Sequence, residues 1–395
     1  MNEKKLHFET KAVRTQIPTT SEKEHATPMY LTSSFVFDDA EEMRASFADE
    51  IDRNIYSRFT NPNTTELIQK VVDMEGAEAG YATATGMAAV YATFMTFLNA
   101  GDHVLSVRSI FGSTHTIFKK FLPKWSIEKS YVDINDLDGW QSAVKENSKL
   151  LYLETPTNPG VELVDLAFAS DFCKKNNLIL VVDNCFATPY LQRPMEFGAD
   201  IVIHSATKFM DGQGRVMGGI IVGKKSYIDD VFTFCRSSGP AMSPFNAWVI
   251  SKSLETLAVR MDRHCENAMK LAKWLETNAE IEWVRYPFLP SHPQYDIARK
   301  QMTQGGAMVC FGIKGGKERG EVFLNSIRLC SLSANLGDTR TIVTHPTSTT
   351  HAKLTEVERL EVGITPNLIR VSVGLEHIDD IIHDIRQAIS ASASA

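Results

Sequence analysis

The chain has 395 residues, of which 43% are hydrophobic and 23% are charged, and its formal net charge is −7. These proportions are typical of a globular protein with room for two domains, and they exclude disordered and collagen-like chains. Because the acidic balance leaves no basic surface, we expect no nucleic-acid partner and consider small molecules as substrates instead.

Six cysteines are spread singly along the chain, without a CxxC pair, at positions 173, 185, 235, 265, 310 and 330. This spacing predicts reduced thiols rather than a disulfide framework, and it indicates no metal site. The first residues contain no apolar run of signal-peptide length, and no later segment has the uncharged length needed to span a membrane. We therefore expect a cytoplasmic protein with no membrane partner.

The sequence pattern changes twice along the chain. Residues 1–60 are polar and irregular, which predicts an N-terminal arm that contacts a neighbouring subunit. Residues 61–250 alternate apolar strand-like runs with helical segments, which predicts a large α/β domain whose mostly parallel sheet is covered on both faces. Residues 251–395 predict a smaller α+β domain. Strands are expected at 102–107, 150–154, 178–183, 201–205, 218–222, 307–312 and 368–373, and helices at 244–279 and 378–389.

In the large domain, the most informative segment is His204-Ser205-Ala206-Thr207-Lys208, which follows an apolar strand. A lysine at this point can form a Schiff base, although a solvated lysine is the alternative. An earlier strand ends on Asp183, an acid of the kind that keeps a pyridinium nitrogen charged, although it could instead cap a helix. Since parallel strands meet at one sheet edge, the pair predicts pyridoxal 5'-phosphate bound covalently to Lys208.

The same edge offers groups for the phosphate and the ring of this cofactor. Gly86 and Met87 begin an apolar helix, where main-chain N–H groups can receive a phosphate together with Ser205 and Thr207. Phe111 follows the next strand and could stack on the cofactor ring, although a core phenylalanine is the alternative.

Two arginines outside this edge are further candidates. Arg58, with Tyr56, lies in the arm, and its guanidinium suits a phosphate that belongs to a neighbouring subunit's site. Arg370 lies in an apolar strand, where an unpaired charge is costly. A substrate carboxylate would resolve that cost, and an internal acid is the alternative.

Taken together, these segments resemble the fold-type-I pyridoxal phosphate enzymes of cysteine and methionine metabolism over nearly the whole chain. The matching segments are Tyr56-Ser57-Arg58, Thr85-Gly86-Met87-Ala88-Ala89, Glu154-Thr155-Pro156-Thr157-Asn158-Pro159, Val182-Asp183-Asn184, Ser205-Ala206-Thr207-Lys208 and Ile369-Arg370-Val371-Ser372-Val373-Gly374.

The resemblance implies a role for each site residue. Lys208 would hold the cofactor and shuttle protons, Asp183 would pair with the ring nitrogen, and Asn158 would bind the phenolic oxygen. The implied phosphate ligands are Gly86, Met87, Ser205 and Thr207, with Tyr56 and Arg58 from the adjacent subunit. Arg370, with Asn158 and Ser333, would bind the substrate carboxylate. The family is usually tetrameric, so the resemblance implies a homotetramer with shared sites.

One position departs from most of the family, which has a tyrosine where this chain has Phe111. A phenol able to move protons is therefore missing, and Tyr56 of a neighbouring subunit is the candidate to replace it. With this phenylalanine the chain looks most like the O-succinylhomoserine sulfhydrylases of the family. The implied reaction replaces succinate by sulfide on an O-acylhomoserine and gives homocysteine, in methionine biosynthesis.

Several alternatives fit the same residues. Cystathionine γ-synthase, O-acetylhomoserine sulfhydrylase and methionine or cystathionine γ-lyase share the ring chemistry, and an inactive relative that binds a partner protein is a further alternative. The sequence does not distinguish a succinyl from an acetyl ester, although Arg215 and Arg340 are available cations. His345 and His351 are interpreted as surface or core residues.

Overall fold

A computed structural model describes residues 6–393 of the chain. Residues 1–5 of the predicted arm and residues 394–395 of the predicted smaller domain lie outside this range. The described residues contain two sheets, and each sheet has its own buried apolar core.

The larger sheet has seven strands in the order β1-β7-β6-β5-β4-β2-β3. They are β1 (Ala79–Thr83), β2 (His103–Val107), β3 (Glu128–Val132), β4 (Ser148–Glu154), β5 (Ile179–Asp183), β6 (Ile201–His204) and β7 (Gly219–Gly223). Only β7 runs against the others, because it pairs antiparallel with both β1 and β6. The predicted mostly parallel sheet is confirmed.

The smaller sheet has five strands in the order β10-β11-β12-β9-β8. They are β8 (Ile281–Arg285), β9 (Met308–Ile313), β10 (Ser331–Leu332), β11 (Ile342–Thr344) and β12 (Leu368–Ser372). The two central strands β9 and β12 are buried throughout and pair antiparallel. These are the two strands that their apolar runs predict.

Fifteen α-helices occur among the described residues. They are α1 (Phe8–Arg14), α2 (Ala40–Phe47), α3 (Pro62–Glu75), α4 (Gly86–Phe97), α5 (Gly112–Thr116), α6 (Gly139–Ala143), α7 (Leu166–Asn176), α8 (Thr188–Leu191), α9 (Lys225–Ser238), α10 (Pro244–Leu254), α11 (Leu257–Glu276), α12 (Tyr295–Gln301), α13 (Gly316–Ser326), α14 (Glu356–Glu361) and α15 (Ile378–Ala391). The closing helix predicted at 378–389 is α15.

The long helix α11 joins the two cores. Near its beginning Leu257 and Met261 pack into the core of the larger sheet, whereas Leu271 and Leu275 pack into that of the smaller sheet. The amphipathic stretch predicted at 244–279 is therefore two helices, α10 and α11. The predicted domain boundary at residue 250 falls within α10, and it stays a prediction.

The segment before α3 contains two short helices, α1 and α2, which its polar pattern did not predict. The buried Ala12 anchors α1, while a series of apolar side chains from the following part of the segment remains exposed. These side chains are Leu31, Val36, Met43, Phe47 and Ile51. Exposed apolar side chains clustered in sequence are typical of a surface that a partner covers.

Residues 6–393 contain neither a membrane-spanning helix nor a metal-binding cluster. No helix there combines the length and apolar character needed to cross a membrane. No group of three or more histidine, cysteine or acidic side chains in that range is arranged to hold a metal ion. All six cysteines are free, and only Cys185 is not fully buried.

Candidate active site

The adjacent strands β2, β4, β5 and β6 end at the same edge of the large sheet. Glu154, the last residue of β4, is the register partner of Asp183, the last residue of β5. Asp183 is in turn the partner of Ile203 in β6, which leads to Lys208. Parallel pairing therefore brings chemically active residues from separate parts of the sequence to one cleft, as this class of sheet predicts.

Lys208 lies in the turn that follows β6. The main-chain N–H of Lys208 donates to the carbonyl oxygen of Ser205 at 3.1 Å, and the N–H of Gly212 donates to the carbonyl oxygen of Lys208 at 2.8 Å. The side chain is half-buried, and Nζ donates to Oδ1 of Asn335 at 2.5 Å. This lysine is thus held inside a cleft, unlike the solvated lysine that was the alternative.

The environment of Lys208 favours a neutral amine. Burial lowers the pKa of Lys208, and the positive charge of Arg370 lowers it further, while Cys185 acts in the opposite direction. A neutral amine is the form that attacks a carbonyl carbon, so the cleft activates this lysine as a nucleophile.

Asp183 is half-buried beside these groups. Its Oδ2 accepts from the hydroxyl of Tyr152 at 3.1 Å, and its Oδ1 accepts from the N–H of Cys185 at 3.1 Å. Burial raises the pKa of Asp183, and the N–H of Cys185, the nearby His204 and the phenol of Tyr152 offset part of that rise. The next helix, α8, is preceded by Ala187, so Asp183 does not cap it.

The first turn of α4 and the end of β6 meet closely. A methyl group at Gly86 would lie 2.6 Å from Cβ of Ser205, so only glycine permits this approach. Thr85 caps the helix by accepting from the N–H of Ala88 at 3.0 Å, which leaves the N–H groups of Gly86 and Met87 without a helical partner. These N–H groups and the Ser205 hydroxyl can hold a phosphate.

Thr207 and Phe111 complete this part of the cleft. The Thr207 hydroxyl exchanges hydrogen bonds with the main chain of Gly218, at 3.1 and 3.3 Å, so it is oriented before any ligand binds. Phe111 is 42% exposed, which excludes the alternative of a core phenylalanine. Its N–H donates to Oε2 of Glu154 at 2.8 Å, and this bond ties the residue to the strand beside Asp183.

Arg370, in β12, reaches the same cleft from the smaller sheet. It is buried, and its Nη1 donates to Oδ1 of Asn158 at 2.8 Å while its Nη2 donates to the carbonyl oxygen of Asn335 at 3.4 Å. No carboxylate among residues 6–393 pairs with it, and its Nε has no hydrogen-bond partner there. An internal acid was the alternative to a substrate carboxylate as the partner of Arg370, and the described contacts of Arg370 include no such acid.

Asn335 is a site residue that the sequence alone did not indicate. Its side chain contacts Lys208 and its carbonyl oxygen contacts Arg370, whereas Ser333 is exposed and accepts only from the N–H of Asn335, at 3.2 Å. Gly337 permits this approach, since a methyl group there would lie 2.7 Å from the main-chain nitrogen of Phe209. An asparagine in a polar loop carries no distinctive sequence signal.

Tyr56 and Arg58 lie apart from the cleft of their own chain. The guanidinium of Arg58 donates to the carbonyl oxygen of Arg236 in α9, and the Tyr56 side chain is 39% exposed. Within the described part of the chain, neither side chain hydrogen-bonds to Lys208 or Ser205.

Two further arginines and one histidine among the candidates have partners of their own. Arg215 pairs with Asp211 at 2.9 Å and Arg340 pairs with Asp338 at 2.8 Å, so both cations already have acidic partners. His345 is buried and hydrogen-bonds within the smaller domain, which fits the interpretation of a core residue.

His351 is the one histidine of this group that approaches the cleft. Its Nε2 would lie 3.9 Å from a β-carbon on Gly112, next to Phe111. Burial, together with the charges of Arg370 and Arg359, lowers the pKa of His351 to about 4. It is therefore uncharged at neutral pH.

The residues present fit pyridoxal phosphate on four separate observations. The amine of Lys208 is nucleophilic, Asp183 is a half-buried acid with spare acceptor capacity, and the Phe111 ring has an open face. The approach of Gly86 to Ser205 leaves helix N–H groups free for the phosphate. A carboxylate-bearing substrate would satisfy the unpartnered Nε of Arg370.

Comparisons with known proteins agree with this arrangement. A family model described as Cys/Met metabolism PLP-dependent enzyme matches residues 9–390. The O-succinylhomoserine sulfhydrylase of Pseudomonas aeruginosa is 45% identical over 384 residues, which are 97% of this chain and 95% of that protein. The L-methionine gamma-lyase of Fusobacterium nucleatum is 43% identical over 367 residues, or 92% of this chain and 93% of the relative.

A solved structure is also similar over the whole chain. It is that of a provisionally assigned O-acetylhomoserine (thiol)-lyase from Campylobacter jejuni, with a TM-score of 0.94, 31% identity, and coverage of 98% of this chain and 100% of the other. That protein carries N'-pyridoxyl-lysine-5'-monophosphate. The predicted α/β fold of type I and the predicted cofactor are confirmed.

Gly86→Ala tests the phosphate cradle. The added methyl group would overlap Ser205, so we expect the affinity of the apoenzyme for pyridoxal phosphate to fall about tenfold or more, which corresponds to about 1.4 kcal/mol. Cofactor titration of the apoenzyme measures this. Gly112→Ala is the matched control, because Gly112 also begins a helix and a methyl group there meets only His351, at 3.9 Å. Equal affinities of the two variants would contradict the cradle.

The lowered pKa of Lys208 predicts a pH dependence. Because the neutral amine captures the cofactor, the rate of capture by the apoenzyme should rise with pH through a midpoint below about 10.4, the ordinary lysine value. Arg370→Gln removes a nearby positive charge, so the midpoint should move up. Stopped-flow absorbance across pH measures both. Arg340→Gln, an exposed arginine paired with Asp338, should leave the midpoint unchanged. A midpoint at the ordinary lysine value would refute the prediction.

Proposed function

Since the chain belongs to the Cys/Met metabolism PLP-dependent enzymes, we propose that it is an O-succinylhomoserine sulfhydrylase, which replaces succinate by sulfide to give homocysteine in methionine biosynthesis. The observation that carries the proposal is the buried Arg370, which has an unpartnered Nε beside Lys208 and Asn158. This arrangement suits the α-carboxylate of an amino-acid substrate. The 45% identity to the Pseudomonas aeruginosa sulfhydrylase supports this choice within the family.

Pyridoxal phosphate, held by Lys208, supplies an electron-withdrawing ring that weakens bonds at the substrate Cα. The residues of this chain do the rest. Asp183 would keep the ring nitrogen protonated, and Phe111 would stack on the ring. Arg370 and Asn158 fix the substrate carboxylate and thereby orient Cα.

Proton transfer falls to Lys208. Nζ donates to Oδ1 of Asn335 at 2.5 Å, and this hydrogen bond would hold the free amine where it could take the Cα proton and deliver it elsewhere on the substrate. The Phe111 ring has no hydroxyl that could share this work. Tyr56 of a neighbouring subunit is our candidate for the proton at Cγ.

We propose a homotetramer in which paired subunits share their sites. The exposed apolar side chains between residues 31 and 51 give the arm a surface for a neighbour to cover. Tyr56 and Arg58 follow directly on that surface, and in this reading they serve the adjacent subunit's phosphate. Six free cysteines, five of them buried, further support a reducing compartment, the cytoplasm.

The closest competing activity is a γ-lyase, which the 43% identity to the Fusobacterium nucleatum methionine gamma-lyase favours. Cystathionine γ-synthase and O-acetylhomoserine sulfhydrylase also fit the site. These enzymes differ in the leaving group and in the attacking group, neither of which Arg370 contacts in this proposal.

A substrate comparison tests the proposal. Purified holoenzyme given O-succinylhomoserine and sulfide should form homocysteine, whereas O-acetylhomoserine or methionine should react much more slowly. Chromatographic quantification of the products measures this. Lys208→Ala should abolish turnover because it removes the amine that is proposed to move the proton. Cystathionine as the main product when cysteine replaces sulfide, or 2-oxobutyrate from methionine, would assign a competing activity.

Shared sites predict subunit complementation. Lys208→Ala and Arg58→Ala should each be inactive alone. In a refolded equal mixture about half of the subunit pairs combine the two variants, and one of the two sites in each such pair is intact, so about a quarter of all sites should regain activity. Activity per active site after mixing measures this. Lys208→Ala mixed with Asp183→Ala is the control, because both residues belong to one chain's cleft and no intact site can form. Equal recovery of activity in both mixtures, or no recovery in the mixture of Lys208→Ala with Arg58→Ala, would show that Arg58 does not serve the adjacent subunit's site.

A further inference from the structure

Glu154 is a buried carboxyl group that the proposed reaction does not use. It ends β4 and is 4% exposed. Its side chain lies on the same face of the sheet as Asp183, because the two residues are register partners in adjacent parallel strands. Its Oε2 accepts the N–H of Phe111 at 2.8 Å.

No cation compensates this carboxyl group. Among residues 6–393, no lysine, arginine or histidine forms an ion pair with Glu154. The titratable groups that face it are Asp183, the phenol of Tyr152 and the thiol of Cys185, all of which become negative when they ionise. An ionised glutamate here would therefore be a buried charge without a partner.

A buried carboxyl group and its half-buried neighbour cannot both ionise cheaply, and their surroundings decide which one keeps the proton. Asp183 accepts two hydrogen bonds, from Tyr152 and Cys185, and in the proposed site it would pair with the ring nitrogen of the cofactor. Burial raises the pKa of Glu154 well above its ordinary value and the charge of Asp183 raises it further, while the N–H groups of Phe111 and Asn158 offset only part of the rise. The direction of these effects, together with the hydrogen bonds that Asp183 accepts, favours Glu154 as the member of the pair that keeps the proton.

The hydrogen bond to Phe111 gives this neutral group a task. Phe111 precedes α5, and no side chain of that helix caps its first turn. The Phe111 side chain is 42% exposed, so burial alone does not fix its ring. The hydrogen bond to Glu154 joins the Phe111 main chain to the strand next to Asp183, the residue that would pair with the cofactor ring nitrogen.

We propose that Glu154 is a positioning residue, held as a neutral carboxylic acid, that anchors the Phe111 N–H and so sets the stacking of the Phe111 ring on the cofactor. The neutral form leaves Asp183 as the single negative charge at the ring. This inference rests on the cofactor and not on the identity of the acyl donor or nucleophile, so it can fail or hold independently of the proposed activity.

The experiment compares Glu154→Gln with Glu154→Ala. Glutamine keeps the acceptor oxygen and carries no charge, so we expect its cofactor affinity within about twofold of wild type and an unchanged visible circular dichroism of the bound cofactor. Alanine removes the acceptor, so we expect about five- to tenfold weaker cofactor binding and a reduced visible signal, as for one lost buried hydrogen bond. The control is Glu162→Gln, because Glu162 is a nearby glutamate that accepts a hydrogen bond from the Ser109 hydroxyl. Its cofactor affinity and visible circular dichroism should match those of wild type.

Two outcomes would overturn the proposal. If Glu154→Gln is as impaired as Glu154→Ala, the ionised form is required; if Glu154→Ala matches wild type, Glu154 does not position the ring. Glu154→Ala should weaken cofactor binding less in the Phe111→Ala variant than it does in the wild-type protein, because the effect of Glu154 passes through Phe111. Full additivity would overturn the link.

A second measurement does not depend on the alanine variant folding. The infrared spectrum of wild-type holoenzyme at neutral pH should contain the C=O stretch of a protonated carboxylic acid, and Glu154→Gln should lack it. A spectrum in which the two proteins do not differ in this band would show that Glu154 is ionised, and would overturn the proposal.

Discussion

Parallel pairing of β4, β5 and β6 places Glu154 beside Asp183, and Asp183 beside Ile203, at one edge of the large sheet. Every contact described in the cleft depends on this register. Because side chains alternate between the two faces of a strand, a slip of one residue would turn Asp183 away from Lys208. The apolar residues of these strands are buried on both faces, and that burial fixes the register on which the chemistry relies.

The cleft also carries several charges that water does not fully solvate. Lys208 follows a strand of the larger sheet, Arg370 lies in a strand of the smaller sheet, and burial lowers the pKa of both. Asn335 lies between them and offers one oxygen to each, so a single neutral residue accepts hydrogen bonds from both side chains. The unpartnered Nε of Arg370 is the part of this arrangement that a substrate carboxylate would complete. The same logic makes Glu154 a neutral neighbour of Asp183.

The sequence predicted the fold where apolar character is continuous and failed where it is not. Central strands such as β5 and β9 are apolar on both faces because both faces are covered. The strands β1 and β3 were missed, since they lie at the edges of the large sheet and contain polar or small residues. The helices α1 and α2 were missed for the same reason, because each buries only one residue.

By itself, the sequence determined the cofactor and indicated the residues that we propose hold it. The turn that ends in Lys208, the acid at Asp183 and the glycine at Gly86 are local patterns whose chemistry depends on nearby residues and on the common edge of parallel strands. Only the tertiary structure decided the contacts between distant residues. Asn335 meets Lys208 across 127 positions, Arg370 meets Asn158 across 212, and Phe111 meets Glu154 across 43. Such contacts follow from the packing of the two sheets and their helices and from strand register, which no local pattern specifies.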